Sequence, residues 1–247
     1  MYDGLLSVDR DALLAFNMLG EVICASLHDH TVVVKGQVVA GTRAIPLIVQ
    51  NDIVRKAERI GKAAGGIIRV RMMRRPKAGV VVTGNKVYSG RIRDGFLPVV
   101  REKIEAAGGE IIGSTYAPDD ERAIEAGLRE QIAWGADLLV TTGGMSIDPD
   151  DVTRFAIANL GATGITYGSA VQPGTMILVA YLEGDPEIPI LGIPACALYA
   201  RTTAFDLVLP RVLAGERIGR KEMAELGHGG LCMKCDACVY PACPFGK

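Results

Sequence analysis

The chain contains 247 residues with a formal net charge of −1, enough for one large domain or for one domain and a smaller companion. Hydrophobic residues make up 49% and charged residues 22%, which is typical of a globular protein. The near-zero charge and the 5% aromatic content argue against nucleic acid or an acidic membrane as a partner.

Residues 1–75 predict a small N-terminal α+β region. A short helix ending at Gly20 is followed by two short strands in 31–41, a helix in 51–66 and a strand in 67–73. The opening residues lack the basic segment and apolar core of a secretory signal, and no apolar run reaches the ~20 residues that cross a bilayer. We therefore expect a cytoplasmic protein, and the abrupt start leads us to expect further chain upstream.

Residues 76–216 alternate between apolar strands and helices. Strand patterns cover 79–84, 110–116, 136–144, 164–171, 175–182 and 188–193, and helix patterns cover 93–109, 118–135, 149–161 and 195–215, the last a long, mostly apolar helix. Near-continuous apolar strands that alternate with helices predict a three-layer α/β/α domain with a mostly parallel sheet. We expect the strands near 164–182 to add a hairpin or an antiparallel edge.

Residues 217–247 form a third segment, a short charged helix followed by a cysteine-rich tail. Cys232, Cys235, Cys238 and Cys243 give the spacing C-x2-C-x2-C-x4-C before a proline. This run is one residue longer than the bacterial ferredoxin run, and zinc more often uses two separated C-x2-C pairs. In a reducing compartment such a cluster favours a metal site. An iron–sulfur cluster, zinc, and unmetallated or oxidised thiols all remain open.

Three loops follow predicted strands, at 83–90, 117–121 and 141–151. Ligands of open parallel α/β sheets bind beyond the carboxyl ends of the strands, so we expect these loops to share one rim. The pair Gly143–Gly144 allows backbone N–H groups to approach a ligand closely. The aspartates in the second and third loops fit helix capping as well as ligand binding, and both interpretations stand. The loops contain neither a P-loop nor a dinucleotide fingerprint.

Five sequence blocks carry a resemblance to a known family. They are "VVVTGN", "APDDERAI", "DLLVTTGGMSIDPDDVT", "PGTMILVAYL" and "PILGIPACALYA". In order and spacing they resemble the molybdopterin-binding domain of molybdenum cofactor biosynthesis proteins, the family of the bacterial adenylyltransferase, the molybdenum insertase and gephyrin. The resemblance covers about 79–213 and implies a three-layer α/β domain that binds molybdopterin, a phosphorylated pterin dithiolene, at the carboxyl rim. It implies a role in molybdenum cofactor biosynthesis or handling.

The resemblance also assigns site residues. The family's cofactor loop falls on Thr142, Gly143, Gly144 and Ser146, its phosphate-side contact on Thr83 and Gly84, and its acidic residues on Asp151 and on Asp119 or Asp120. We assign a catalytic role to Asp151 and Asp120, and cofactor binding to Asp119 with the other residues. We expect a homo-oligomer, with a molybdoenzyme or a cofactor-biosynthesis protein as partner.

The chain departs from the insertase-type pattern at three places. T-G-D-E reads "TGNK", so Asn85 and Lys86 replace two acids, while P-G-K-P reads "PGTM" at 173–176 and L-P-G-N-P reads "IPACA" at 193–197. Magnesium needs hard oxygen ligands, so the losses favour cofactor binding over adenylyl transfer or metal insertion, with Mg²⁺ left open. The alternatives are a non-catalytic redox-sensing carrier and a pyrophosphate hydrolase on the same fold.

Overall fold

A computed structural model describes residues 3–144 and 152–247 of the chain. The chain divides into two compact units, Met1–Met73 and Arg74–Lys247, and the cysteine-rich tail belongs to the second. Within the described residues, no helix combines the length and the apolar character that a membrane crossing requires.

The first unit mixes two small sheets with two helices. Its elements are β1 (Gly4–Val8), α1 (Arg10–Asn17), β2 (Val22–Ser26), β3 (Val32–Val33), β4 (Ala40–Ala44), α2 (Asn51–Ala63) and β5 (Ile68–Met72). β1 lies between β3 and β5, while β2 pairs with β4, and all these pairs are antiparallel. The two strands expected in 31–41 therefore belong to different sheets, because β3 pairs with β1 and β4 pairs with β2. A small core forms around Leu6, Val8 and Val33.

The second unit is an α/β domain with a six-stranded sheet. Its elements are β6 (Lys77–Thr83), α3 (Asn85–Tyr88), α4 (Phe96–Ala106), β7 (Glu110–Ala117), α5 (Glu121–Ala133), β8 (Leu138–Thr142), α6 (Thr153–Asn159), β9 (Thr163–Tyr167), β10 (Leu178–Leu182), β11 (Ile188–Ile193), the 3₁₀ helix η1 (Ala195–Leu198), α7 (Ala204–Leu213) and α8 (Arg220–Glu225). The predicted three-layer, mostly parallel α/β class is confirmed. The strands β6, β8 and β11 are buried almost throughout, as their continuous apolar sequences predict.

The sheet order is β7-β6-β8-β11-β10-β9. β7, β6, β8 and β11 run parallel, whereas β10 and β9 are antiparallel, as expected for the segment near 164–182. The parallel strands therefore end at one margin of the sheet, at Thr83, Ala117, Thr142 and Ile193. We call this margin the carboxyl edge. It lies where ligands of such folds bind.

The expected long helix at 195–215 is wrong. The segment divides into η1 and α7, separated by an irregular stretch that ends at Thr203. The Thr203 hydroxyl accepts a hydrogen bond from Phe205 N (3.2 Å), and the Asp206 carboxylate accepts one from Thr203 N (2.7 Å). This capping box starts a new helix within an apolar run, so hydrophobic periodicity alone misses the break.

Candidate functional site at the carboxyl edge

Five residues assigned by resemblance meet at the carboxyl edge. Thr83 ends β6, Thr142 ends β8, and Gly84, Gly143 and Gly144 directly follow these strands. β6 and β8 are hydrogen-bonded neighbours, with Val82 opposite Thr142 in the register. The parallel topology therefore brings together two loops that the sequence separates by about sixty residues.

Two threonine side chains at this edge are buried. The hydroxyl of Thr83 donates a hydrogen bond to the Thr142 carbonyl (2.9 Å), which ties the end of β6 to the end of β8. The hydroxyl of Thr142 is fully buried and has no hydrogen-bond partner among the described residues. An unsatisfied buried hydroxyl costs about 1–3 kcal/mol, so the Thr142 Oγ1 atom is a candidate contact for a ligand at this edge.

The glycine pair fits between threonine side chains. Gly143 and Gly144 adopt φ angles of +83° and +58°, in the left-handed region that favours glycine. A Cβ atom on Gly143 would lie 2.6 Å from the Thr83 carbonyl oxygen, and one on Gly144 would lie 2.4 Å from Thr153 Oγ1. The glycines are therefore required by packing within the protein, in addition to any ligand approach.

Thr153 is a site-forming residue that the sequence reasoning missed. It begins α6, is fully buried, and its hydroxyl donates to the Gly143 carbonyl (3.2 Å). The only sequence signal for it is its place at the end of the block "DPDDVT". Its contact with Gly143 holds the start of α6 against the end of β8.

Asp119 and Asn85 join the loops that follow β7 and β6. Asn85 N donates to Asp119 Oδ2 (3.0 Å), and Asp119 N donates to Asn85 Oδ1 (3.2 Å). The reciprocal pair explains how an asparagine is accommodated where the resembling family carries an acid: its amide oxygen accepts the Asp119 N–H without adding a second negative charge. Lys86, in the next position, is exposed.

Asp120 has a structural task. Its Oδ1 atom accepts a hydrogen bond from Ala123 N (2.9 Å), so the carboxylate caps the N-terminus of α5. Of the two aspartates in this loop, Asp119 is the one that contacts the loop after β6. The assigned catalytic role of Asp120 remains a prediction. Ser146 and Asp151, assigned to the cofactor loop and to catalysis, lie outside the described residues.

The metal site expected at Cys232, Cys235, Cys238 and Cys243 is not formed in the structure. All four are free thiols, and no group of three or more His, Cys, Asp or Glu side chains among the described residues is arranged to hold a metal ion. The sulfur atoms have separate neighbours. Cys238 Sγ lies 3.4 Å from Thr202 Oγ1, and Cys232 Sγ accepts from Lys234 N (3.5 Å). The hydrogen bond with Thr202 lowers the pKa of the Cys238 thiol.

The chain matches a protein family described as a probable molybdopterin binding domain over residues 79–214. This range contains every residue assigned to the carboxyl edge.

A CinA-like protein from Mycobacterium sp. (strain MCS) is 39% identical over 82 residues, which cover 33% of this chain and 20% of that protein. The chain therefore spans only about a fifth of the length of the curated relatives that it matches.

Two solved structures are similar. A tungsten cofactor synthesizing protein MoaB from Pyrococcus furiosus has 22% identity and a TM-score of 0.46, covering 56% of this chain and 91% of its own. A molybdopterin biosynthesis moea protein from Pyrococcus horikosii has 18% identity and a TM-score of 0.46, covering 87% of this chain and 67% of its own.

Proposed function

We propose that this chain, which belongs to the family of probable molybdopterin binding domains, binds molybdopterin or a related phosphorylated pterin at its carboxyl edge. The observation that carries the proposal is the family match over 79–214, which spans all five edge residues assigned by resemblance. In this role the chain takes part in molybdenum cofactor biosynthesis or handling. A molybdoenzyme or a cofactor-biosynthesis protein is the proposed recipient.

The chemistry of the edge supports a polar, phosphorylated ligand. Gly143 and Gly144 follow β8 without side chains that shield the backbone N–H groups there, and such groups bind phosphate oxygens well. The N–H of Gly84, after β6, instead donates to Ala117 O (3.2 Å). The buried Thr142 hydroxyl lacks a partner among the described residues, and a ligand oxygen would satisfy it. The Asp119 carboxylate offers an acceptor for the N–H groups of a pterin ring.

The described residues favour binding without metal-assisted turnover. Asn85 and Lys86 stand where the resembling insertase-type sequences carry acids, and Asp120 is engaged in capping α5. Among the described residues assigned to the edge, this leaves Asp119, which already accepts the Asn85 N–H, as the carboxylate available to a ligand. A single carboxylate is the low end of the one or two that usually hold Mg²⁺ together with substrate phosphates and water. We therefore propose a carrier of the cofactor, with adenylyl transfer, metal insertion and pyrophosphate hydrolysis as the enzymatic alternatives.

The Thr142→Val variant tests the proposed site. Valine keeps the shape of threonine and removes a hydroxyl that has no described partner, so the free energy of unfolding should be unchanged or higher. The affinity for molybdopterin, measured by anaerobic fluorescence titration, should fall about threefold to tenfold through the loss of one hydrogen bond.

Thr163→Val is the matched control, because Thr163 is a half-buried strand threonine on β9. It should leave the molybdopterin affinity unchanged. If the wild-type chain does not bind molybdopterin, the proposed function is wrong. If Thr142→Val binds as tightly as wild type, the function can stand but the site is wrong. Release of AMP or pyrophosphate during incubation with nucleotide would favour an enzyme over a carrier.

A further inference from the structure

We propose that residues 231–246, which we call the cysteine segment, form one wall of the ligand site at the carboxyl edge. The inference rests on the proposed function and extends it. It gives the segment a task that does not depend on a bound metal: to cover the part of the ligand that reaches from β8 towards β10. Cys238 is the thiol that the structure places at this wall.

The first attachment of the segment is to the loop between β9 and β10. Gln172 N donates to Gly230 O (2.7 Å), and Cys232 N donates to Gln172 O (2.8 Å), so Gln172 and Leu231 form a parallel β-bridge. Tyr167 at the end of β9 pairs with Leu178 at the start of β10, which in turn pairs with Gly192 near the end of β11. The loop that holds the segment therefore lies at the carboxyl edge.

The second attachment is to the turn between β11 and α7. Cys238 Sγ lies 3.4 Å from the hydroxyl of Thr202, which is buried next to the capping residue Thr203. Farther along, Phe245 is 3% exposed, and a Cβ atom on Gly246 would lie 2.3 Å from Leu207 of α7. The cysteine segment is thus packed onto the start of α7 and is held from both ends.

The turn that holds the segment also contacts α4 and its capping residue Gly95. A Cβ atom on Gly95 would lie 3.2 Å from Leu198 of η1, and Lys103 Nζ donates to Arg201 O (2.9 Å). Lys103 also pairs with Asp206 (2.5 Å), and both side chains are mostly buried. These contacts fix the turn against α4.

The sheet order brings this wall next to the glycine pair. β8 and β11 are hydrogen-bonded neighbours, and Thr142 is aligned with Ile193 in the parallel register. Neighbouring strands lie about 5 Å apart, so the turn after β11 and the loop after β8 leave adjacent positions at the edge. The proposed wall requires a ligand of pterin size on Gly143 and Gly144 to extend past the end of β11 to the turn that carries Thr202 and Cys238.

The chemistry of the segment suits a sulfur-containing ligand. Cys235 and Cys238 are exposed, and sulfur is a soft, polarisable atom that makes favourable contacts with aromatic rings. The exposed Lys234 adds a positive charge near the wall. These thiols and the lysine differ from the hard oxygen ligands that a magnesium site requires. They suit the sulfur-bearing side of a phosphorylated pterin dithiolene.

Amide hydrogen exchange of the wild-type chain tests the wall directly. The reduced chain is exchanged in deuterated buffer under anaerobic conditions, with and without saturating molybdopterin, and deuterium uptake of each peptide is followed by mass spectrometry. Molybdopterin should slow the exchange of the peptide that contains Cys238 several-fold. The peptide that contains Thr163, at the end of β9 away from the carboxyl edge, is the internal control and should exchange at the same rate in both samples.

The two proposals can fail separately. If fluorescence titration detects no molybdopterin binding, both the proposed function and the proposed role of the cysteine segment are wrong. If molybdopterin binds but the exchange rate of the peptide that contains Cys238 does not change, the wall alone is overturned.

Thr202→Val and Thr202→Ser provide a second test that does not rely on hydrogen exchange. The valine variant should weaken molybdopterin binding about threefold to tenfold, and serine, which retains the hydroxyl, should restore it. The melting temperatures of the two variants separate a ligand effect from a general loss of structure. Serine lacks the methyl group of threonine and leaves a larger cavity than valine, so a general loss of structure would be greater in the serine variant. Equal molybdopterin affinity in wild type and the valine variant would contradict the wall.

Discussion

The hydroxyl of Thr83 donates a hydrogen bond to the carbonyl of Thr142, and this contact joins two strand ends that are 59 residues apart in the chain. Both residues are buried, and each precedes a glycine at the carboxyl edge. The bond therefore sets the separation of the two loops that are proposed to bind the ligand. Its loss should affect folding stability and ligand affinity together.

Thr83→Val should destabilise the second unit by about 1–3 kcal/mol, because it leaves the buried Thr142 carbonyl without its side-chain donor. Urea unfolding followed by circular dichroism gives the free energy of unfolding. Thr163→Val removes a longer, half-buried hydrogen bond to Tyr181 O (3.4 Å) and should cost less. Equal losses of unfolding free energy in the two variants would mean that the hydrogen bond between Thr83 and Thr142 stabilises the fold no more than the half-buried bond of Thr163.

The sheet and its carboxyl edge could be predicted from the sequence because their signals are local. Each parallel strand is a short, largely apolar run, and three of the four, β6, β7 and β8, are followed by a glycine or an aspartate-containing loop. Parallel pairing then places all the strand ends at one edge without any knowledge of side-chain contacts. The alternation with helices was sufficient for the fold class.

The internal contacts of the site could not be predicted in the same way. The clash that excludes a side chain at Gly143 involves Thr83, and the partner of Asn85 is Asp119, so both depend on which strands are neighbours. The break before Thr203 had a sequence signal in the spacing of Thr203 and Asp206, which fits a capping box. The apolar character of the surrounding run obscured it.

Gly143→Ala should be more damaging than Gly135→Ala. Both glycines have positive φ, so each alanine costs about 1–2 kcal/mol of backbone strain. The two differ in surroundings: an added Cβ atom at Gly135 meets nothing within 4 Å, whereas at Gly143 it meets the Thr83 carbonyl oxygen at 2.6 Å. Urea unfolding should give a clearly larger loss for Gly143→Ala, and similar losses would show that the edge rearranges freely.

Asp120→Asn separates capping from catalysis. Asparagine caps helices about as well as aspartate, so the free energy of unfolding should change by only a few tenths of a kcal/mol, whereas Asp120→Ala should cost about 0.5–2 kcal/mol. For a carrier, molybdopterin affinity should be similar in Asp120→Asn and wild type. A loss of molybdopterin-dependent turnover in a well-folded Asp120→Asn variant would instead support the catalytic assignment.

Tyr181→Phe should remove an alkaline component of stability from the second unit. The Tyr181 hydroxyl oxygen accepts a hydrogen bond from Ile218 N (2.6 Å), and the side chain is almost fully buried. Burial raises the pKa of Tyr181 above its ordinary value of 10.0. The folded chain thus favours the neutral phenol, so this contribution is complete below pH ~10 and is lost as the pH rises through the raised pKa.

At neutral pH the Tyr181→Phe variant should lose about 1–3 kcal/mol, because Ile218 N is left without its acceptor. Urea unfolding across the alkaline range should show a smaller fall in stability for this variant than for wild type above pH ~10. Tyr199→Phe is the matched control, since Tyr199 is 89% exposed and should leave the profile unchanged. A wild-type alkaline profile in Tyr181→Phe would assign the alkaline loss to other groups and contradict this account of the buried phenol.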